Sequence, residues 1–366
     1  MDRAVSFIFL MGLVSLFADF TYEGARSISG AYLENFGIKA LTLGIIFGFG
    51  ELLNYSARII FGEIAERSKK YWFFIFLGYF LIFSIPLIAL TDSWQIVAFL
   101  LILERFGKAV RSPARDAIIS FAKVKKGFGF GLHEAIDQVG AVLGPLTISI
   151  LLIWFNYREC FLFLFIPAVL MVSFLVYAKR FSAQGVFELE MKKTREGFSY
   201  FLAFSFFSSA GLVSFQLVAY HLESISFQPY LIPLLYAIAM LSDALAAIFI
   251  GKVYDKHGVK ILLIIPILTP LTSIFIINPV LSALAIGIVL GAQESAMRAA
   301  VSEFSSKRAR AYGAFNSIVG FGTFFGSISF GYIYDNFKEY LILYSIFMQF
   351  IAVIIFAKRF LVSRKL

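Results

Sequence analysis

Two short stretches decide the fold of this chain: "GEIAERSKK" at residues 62–70 and "GKVYDKHGVK" at residues 251–260. When the second is placed over the first, Gly62 aligns with Gly251 and Glu66 aligns with Asp255. Each stretch follows a long apolar segment. In both stretches a glycine, a carboxylate and a basic cluster follow one another at the same spacing. The recurrence indicates two related halves, an organisation that is typical of transporters built from internal repeats.

A second pair of stretches repeats in the same order. "GLHEAIDQVGAVLGP" at residues 131–145 and "GAFNSIVGFGTFFGS" at residues 313–327 carry three glycines at matching positions. Between the halves, residues 180–197 form the longest polar and charged segment. The sequence therefore predicts an N-terminal domain over 1–179, a linker over 180–197 and a C-terminal domain over 198–366.

The composition places much of the chain in lipid. Of 366 residues, 60% are hydrophobic and 15% are charged, against roughly 45–50% and about 25% in average soluble domains. A helix needs about 20 mainly apolar residues to cross a bilayer. Twelve such windows occur, near residues 5–34, 40–62, 71–91, 94–119, 128–154, 160–178, 198–222, 229–252, 260–277, 280–302, 311–333 and 340–358. The sequence predicts an all-α membrane protein.

The net charge of +9 reflects topology rather than a nucleic-acid surface. Basic residues gather in alternate loops, while the opposite loops hold Lys39, Arg158 and Lys338. This asymmetry is the positive-inside pattern. It predicts that both termini are cytoplasmic and excludes nucleic acid as the expected partner.

The two opening stretches resemble the loop between helices 2 and 3 of the major facilitator superfamily, which has the form G-x-x-x-D-[RK]-x-G-[RK]-[RK]. In the first copy Glu66 replaces the usual Asp and Ser68 the usual Gly, whereas the second copy keeps Asp255 and Gly258. The resemblance covers the whole chain and implies two six-helix bundles that rock about a central site. It also implies a gate at Gly62, Glu66, Arg67, Gly251, Asp255 and Lys256, although a positive-inside anchor would explain the basic residues alone.

The fifth predicted span, residues 128–154, contains "GAVLGP", with Gly140, Gly144 and Pro145. It is similar to the helix 5 signature of the family's proton-driven exporters. Glycines four residues apart also let helices pack closely, so packing explains the motif equally well. In the fourth predicted span, residues 94–119, Arg105 resembles an arginine found in proton-coupled members of the family.

Charged residues recur within the predicted spans. Asp19, Glu23 and Arg26 follow one another at +4 and +7, which places them on one helical stripe. Each charge costs roughly 2.5–3.5 kcal/mol at the bilayer centre, so these residues must pair or line a wet cavity. Proton-coupling candidates are Asp19, Glu23, Glu134 and Asp137. Candidates for substrate or counter-charge contacts are Arg26, Glu51, Arg58, Glu104, Arg105, Lys108, His133 and Gln138. Arg111 and Arg115 are expected at the membrane rim.

These patterns predict a secondary transporter of a small organic solute, proton-coupled, with export favoured. Alternatives are an importer of an organic anion held by Arg26, Arg105 or Lys108, a metal-ion exporter that uses His133 with Asp137, and a non-transporting sensor or enzyme. We expect no cofactor and no resident metal, and we expect a monomer in the cell (plasma) membrane.

Overall fold

The computed structural model describes residues 3–120, 126–181, 197–304 and 308–361, and these residues are helical apart from short turns. Most of the predicted linker, residues 182–196, lies outside the described residues. In the first half the α-helices are α1 (Arg3–Glu34), α2 (Ala40–Ser68), α3 (Tyr71–Phe80), α4 (Ser84–Leu87), α5 (Trp94–Ser120), α6 (Lys126–Leu151), α7 (Tyr157–Phe163) and α8 (Phe165–Ala178).

The second half continues the helical pattern with more interruptions. Its α-helices are α9 (Phe198–Ala210), α10 (Phe215–Ser224), α11 (Leu231–His257), α12 (Ile264–Leu268), α13 (Pro279–Ala292), α14 (Arg298–Phe304), α15 (Arg308–Asn336) and α16 (Leu341–Phe356). A π-helical turn, Gln293–Met297, joins α13 to α14. The predicted span 198–222 is broken between α9 and α10, an interruption that its apolar composition did not reveal.

Ten helical segments of the described chain are long and apolar enough to cross a membrane. One of them, Leu231–Thr272, extends over 42 residues and overlaps two of the predicted windows, 229–252 and 260–277. Helix α5 is not among the ten, because its charged residues lower its hydropathy. The chain is thus an all-helical protein with the composition of a multi-pass membrane protein.

The two opening stretches are mainly helix ends rather than loops. Helix α2 continues through Ser68 and α11 through His257, and the chain turns at Lys69 (φ 55°) and Gly258 (φ 60°). Both residues occupy the left-handed region, which glycine adopts without steric cost. Lys69, rather than Ser68, therefore occupies the place of the usual glycine, and the prediction for Ser68 was wrong. A non-glycine residue pays roughly 1–2 kcal/mol for this conformation.

The described contacts divide the chain into two compact units. Unit 1 contains Met1–Tyr32, Leu53–Glu188 and Phe227–Ala237, and unit 2 contains Leu33–Leu52, Leu189–Ser226 and Ile238–Leu366. The chain therefore passes from one unit into the other near the end of α1, inside α2 and inside α11. The domain boundaries predicted from the sequence remain a prediction.

In unit 1, glycines bring α6 against α1. A Cβ atom added at Gly140 would overlap the backbone of Leu16, and one added at Gly144 would overlap that of Phe20. Glycine lets two membrane helices approach to backbone contact. The contact fixes the rotation of α1 relative to α6 and so decides which α1 side chains face the interior of the unit.

Unit 2 repeats this contact. A Cβ atom at Gly322 of α15 would lie 2.6 Å from the carbonyl oxygen of Phe206, and one at Gly326 would lie 2.9 Å from Cα of Ala210. Both partners belong to α9. Two of the three aligned glycine pairs, Gly140 with Gly322 and Gly144 with Gly326, thus perform the same packing task in both halves, which is how the internal repeat appears in the structure.

The carboxylate of Asp335 caps the N-terminus of α2 within unit 2. Asp335, near the end of α15, accepts hydrogen bonds from the backbone N–H of Ala40 at 3.0 Å and of Leu41 at 2.9 Å. The first N–H groups of a helix have no partner inside the helix. Asp335 supplies that partner and a favourable charge at the positive end of the helix dipole.

Candidate functional site

Helix α1 carries the centre of a polar cluster in unit 1. The residues Asp19 and Glu23 are 9% and 6% exposed, although each bears a carboxylate. Arg26 lies one turn farther along α1 and is about a quarter exposed at its side chain. The close α1–α6 packing and the position of α5 direct this stripe into the unit, where basic and aromatic side chains surround it.

Asp19 belongs to a hydrogen-bonded chain that ends on α5. The hydroxyl of Tyr22 donates to Oδ2 of Asp19 at 3.1 Å, and Nζ of Lys108 donates to the same hydroxyl. Lys108 Nζ also lies 4.0 Å from the centroid of the Tyr22 ring, and Cζ of Arg105 lies 4.7 Å from it. Tyr22 therefore links one acid to one base and stabilises two cations through its ring.

Glu23 has different partners. Its Oε1 lies 3.6 Å from Nη1 of Arg26, and its Oε2 accepts a hydrogen bond of 2.5 Å from the hydroxyl of Tyr236. Tyr236 is 3% exposed and comes from the first turns of α11. One cation and one hydroxyl thus contact the two carboxylate oxygens of Glu23.

Helix α5 contributes a compact group of charges. Glu104 lies 2.6 Å from Nε of Arg105 and 3.8 Å from Nη2 of Arg111, and all three side chains are buried. The guanidinium of Arg111 also stacks over Tyr79, 4.9 Å from the ring centroid. Arg111 was expected at the membrane rim, but it is 2% exposed. Its carboxylate partner and its aromatic contact explain this burial.

A second hydrogen-bond group lies one turn earlier on α1. Ser15 Oγ is 3.0 Å from Nε2 of His133 and 3.3 Å from the hydroxyl of Tyr79. Arg115 donates to Ser15 at 3.3 Å and pairs with Asp116 at 3.0 Å. His133 is thus held by a serine hydroxyl, and Arg115 bridges α5 to α1.

The remaining candidates occupy more varied positions. Asp137 is half-buried and its charge acts on Asp19, while Glu134 is exposed and Gln138 is half-buried. In α2, Arg58 donates to Asn54 at 2.9 Å, and Glu51 is half-buried within unit 2. Within the described ranges, no group of three or more His, Cys, Asp and Glu side chains is arranged to hold a metal ion.

The gate candidates lie at the ends of α2 and α11. Arg67 forms a hydrogen bond with Glu63 of the same helix, and Glu66 is half-buried. Asp255 and Lys256 are exposed. A Cβ atom at Gly62 would make an ordinary contact with Pro113, 3.4 Å away, and one at Gly251 would lie 3.7 Å from Ser295. Pro145 is inside α6, one residue after the close contact of Gly144.

Sequence reasoning missed the hydroxyl groups that organise the site. Tyr22 follows Asp19 at +3 on the same stripe, so the helical period was a signal for it. Ser15 precedes Asp19 by four residues and carried the same signal. Tyr79 and Tyr236 lie in apolar windows of other helices, where nothing in the local sequence distinguishes them from packing residues.

Comparison with known proteins identifies the family. The family model described as Major Facilitator Superfamily matches residues 8–201 and again residues 197–365. The chain belongs to the major facilitator superfamily. The two matches together cover nearly the whole sequence, and the chain is accordingly an integral multi-pass membrane protein.

Relatives and solved structures agree with this assignment. An uncharacterized protein of Mycobacterium tuberculosis is 33% identical over 359 residues, covering 90% of this chain and 87% of its own length. An uncharacterized MFS-type transporter of Methanocaldococcus jannaschii is 27% identical over 371 residues, covering 94% and 92%. The crystal structure of a mutant of the nucleoside transporter NupG has a TM-score of 0.78 at 14% identity, covering 96% of this chain and all of that one. At this identity the structural likeness shows the shared fold.

Proposed function

We propose that this protein is a proton-coupled secondary transporter that moves a small organic solute across the membrane by alternating access. The observation that carries the proposal is the buried cluster of unit 1, in which Asp19 and Glu23 lie beside Lys108 and Arg26. Ionisable residues inside a membrane span are costly and mark substrate or proton pathways. The solved neighbour NupG, a nucleoside transporter, supports a small organic molecule as the cargo.

Asp19 and Glu23 have unequal surroundings, and we assign the exchangeable proton to Asp19. Glu23 has both an arginine and the Tyr236 hydroxyl as direct partners, which favour its charged form. Asp19 accepts a hydrogen bond from Tyr22, with Lys108 one hydroxyl farther away. In this assignment Glu23 positions Arg26 and Tyr236, while Glu134 and Asp137 remain secondary proton candidates.

The architecture that this function needs is two bundles of six spans. Ten membrane-spanning candidates are present in the described chain. Counting α5 as a further span, and dividing Leu231–Thr272 at the left-handed Gly258, gives the twelve that the sequence predicts. We propose that residues 1–179 and 198–366 form the two bundles. The carboxylates Glu66 and Asp255 would then contact and release the opposite bundle in turn.

We further propose a monomer in the cell membrane with both termini cytoplasmic, consistent with the positive-inside pattern of the loops. Transport is preferred over sensing or catalysis because the charges collect inside the spans. Residues 140–145 bear on the direction of transport in two ways. Residues 140–145 favour export by resemblance, but the contact of Gly140 and Gly144 with α1 supports their alternative role in packing.

The test uses purified protein reconstituted into vesicles that hold a pH-sensitive dye. A thermal-stability screen of sugars, nucleosides, organic acids, drugs and metal ions first supplies a stabilising compound. Adding that compound is expected to start proton movement, and an imposed pH gradient is expected to concentrate it. Asp19→Asn is expected to abolish the coupling, whereas Glu339→Gln, at an exposed acid outside the cluster, leaves it unchanged.

Two results would contradict the proposal. Solute flux that is independent of the pH gradient, and equal in Asp19→Asn and the unaltered protein, would exclude Asp19 as the proton carrier. A stabilising metal ion that moves across the membrane, with no organic compound doing so, would favour the metal-exporter alternative.

A further inference from the structure

Lys108 differs from the arginines around it. Arg105 and Arg111 share Glu104 at 2.6 and 3.8 Å, and Arg115 pairs with the acid that follows it. For Lys108, in contrast, the described part of the chain provides no carboxylate oxygen within 4.0 Å of Nζ. A charge inside a span normally pairs or faces a polar cavity. Among the described cations of α5, Lys108 is therefore the one without a direct carboxylate partner.

Tyr22 holds the ammonium group in place and uses only one of its hydrogen-bond donors. The hydroxyl of Tyr22 accepts one hydrogen bond from Nζ, and the ring lies 4.0 Å from it. An ammonium group has three donors, and in the described residues that hydroxyl is its one hydrogen-bond acceptor. Two N–H groups remain for a ligand, on a side chain that is only partly buried.

The charge of Lys108 is tied to Asp19. The two side chains are joined through the Tyr22 hydroxyl, which donates to Asp19 and accepts from Lys108. A proton on Asp19 would remove that negative charge and leave the ammonium free to attract another anion. Tyr22 donates a hydrogen bond to Asp19, and the charged groups that interact with it are Glu23 on α1, Lys108, Arg111 and Arg115 on α5, and Asp137 on α6.

We propose that Lys108 binds the carboxylate of an organic anion and that protonation of Asp19 strengthens this binding. The proposal rests on the proposed function, because it names the substrate class for the same site. A compact ammonium point charge suits a single anionic group. Arg105, the second cation that contacts the Tyr22 ring, adds positive electrostatic potential near Lys108. By linkage, the bound anion favours the protonated form of Asp19 to the same degree.

Joint binding has a consequence for direction. If the anion and the proton occupy the site together, alternating access carries both the same way. An inward proton gradient would then drive uptake of the anion. The arrangement of Lys108 and Asp19 thus favours the import alternative over export.

The test measures binding without any gradient, so that it is separate from the vesicle experiment. Thermal stability of the purified protein is followed with benzoate and succinate, with their neutral amides benzamide and succinamide, and with inorganic phosphate. We expect stabilisation by a carboxylate and none by the matching amide. Lys108→Gln is expected to weaken the apparent affinity at least tenfold, the loss of one charge-assisted hydrogen bond. Lys39→Gln, at an exposed lysine, leaves it unchanged.

Asp19→Asn provides the second arm, which does not depend on the folding of Lys108→Gln. It is expected to strengthen carboxylate binding and to remove its dependence on pH, while Lys108→Arg retains most of the affinity. Any of four results would overturn the proposal. Three concern the ligands: equal stabilisation by carboxylate and amide, stabilisation by phosphate alone, and no stabilisation by any anion tested. The fourth is an unchanged affinity in Lys108→Gln. If the purified protein binds the carboxylate but the vesicle experiment shows no proton flux, the anion site is supported and the proposed proton coupling is refuted.

Discussion

The glycine contact between α6 and α1 allows a matched test of the packing. A Cβ atom at Gly140 would lie 2.8 Å from the carbonyl carbon and 2.9 Å from Cα of Leu16. Non-bonded carbon atoms prefer separations of about 3.5–4.0 Å. Both obstacles are backbone atoms, so they cannot rotate away, and Gly140→Ala requires α1 and α6 to separate by roughly 1 Å.

The control lies on the same helix. At Gly131 an added Cβ has no neighbouring atom within 4 Å, so Gly131→Ala changes backbone propensity alone and gains up to about 1 kcal/mol. Gly140→Ala has the same gain but also overpacks the contact, which costs about 1–3 kcal/mol. The difference in the free energy of unfolding between the two variants is therefore about 1–3 kcal/mol, with Gly140→Ala the less stable.

The assay compares apparent Tm values of the purified variants at one scan rate, because membrane proteins often unfold irreversibly. Gly322→Ala, which would place a Cβ 2.6 Å from the carbonyl oxygen of Phe206, should destabilise the second half in the same way. Equal Tm values for Gly140→Ala and Gly131→Ala would refute the claim that this glycine exists for close packing.

Three further predictions concern the turns, the site and the start of α2. Lys69→Gly should stabilise the protein by about 1 kcal/mol and Gly258→Ala should destabilise it similarly, because both positions have a left-handed backbone; opposite or absent shifts in thermal unfolding would contradict this. Tyr236→Phe should cost about 1–3 kcal/mol, since it removes a hydrogen bond to the buried Glu23 carboxylate, and thermal unfolding with Tyr332→Phe as the exposed control measures it. Asp335→Ala should cost about 0.5–2 kcal/mol by uncapping α2, and a Tm like that of the unaltered protein would exclude a capping role.

The sequence was sufficient to predict the class of fold and its repetition. A helix that crosses a bilayer requires about 20 apolar residues, so the membrane spans can be recognised as apolar windows in the sequence. Gly140 and Gly322 align in the sequence, and both allow a close helix contact in their own half. The helical period also placed Asp19, Glu23 and Arg26 on one stripe.

The partners of those charges could not be predicted in this way. Periodicity assigns a residue to a face, but a hydrogen bond depends on a few ångströms between side chains of different helices. Glu104 could have paired with Lys108 by spacing, yet the structure gives it Arg105 and Arg111. Tyr236, far along the chain from Glu23, reaches it only after folding.

The sequence by itself therefore determined that this is a membrane protein of two repeated halves with charges inside its spans, because lipid imposes those patterns on composition and spacing. Only the tertiary structure decided which of these charges have a direct partner of opposite charge. The physical reason is the backbone contact at Gly140 and Gly144, which fixes the rotation of α1. With α1 so oriented, Tyr22 lies between Asp19 and Lys108.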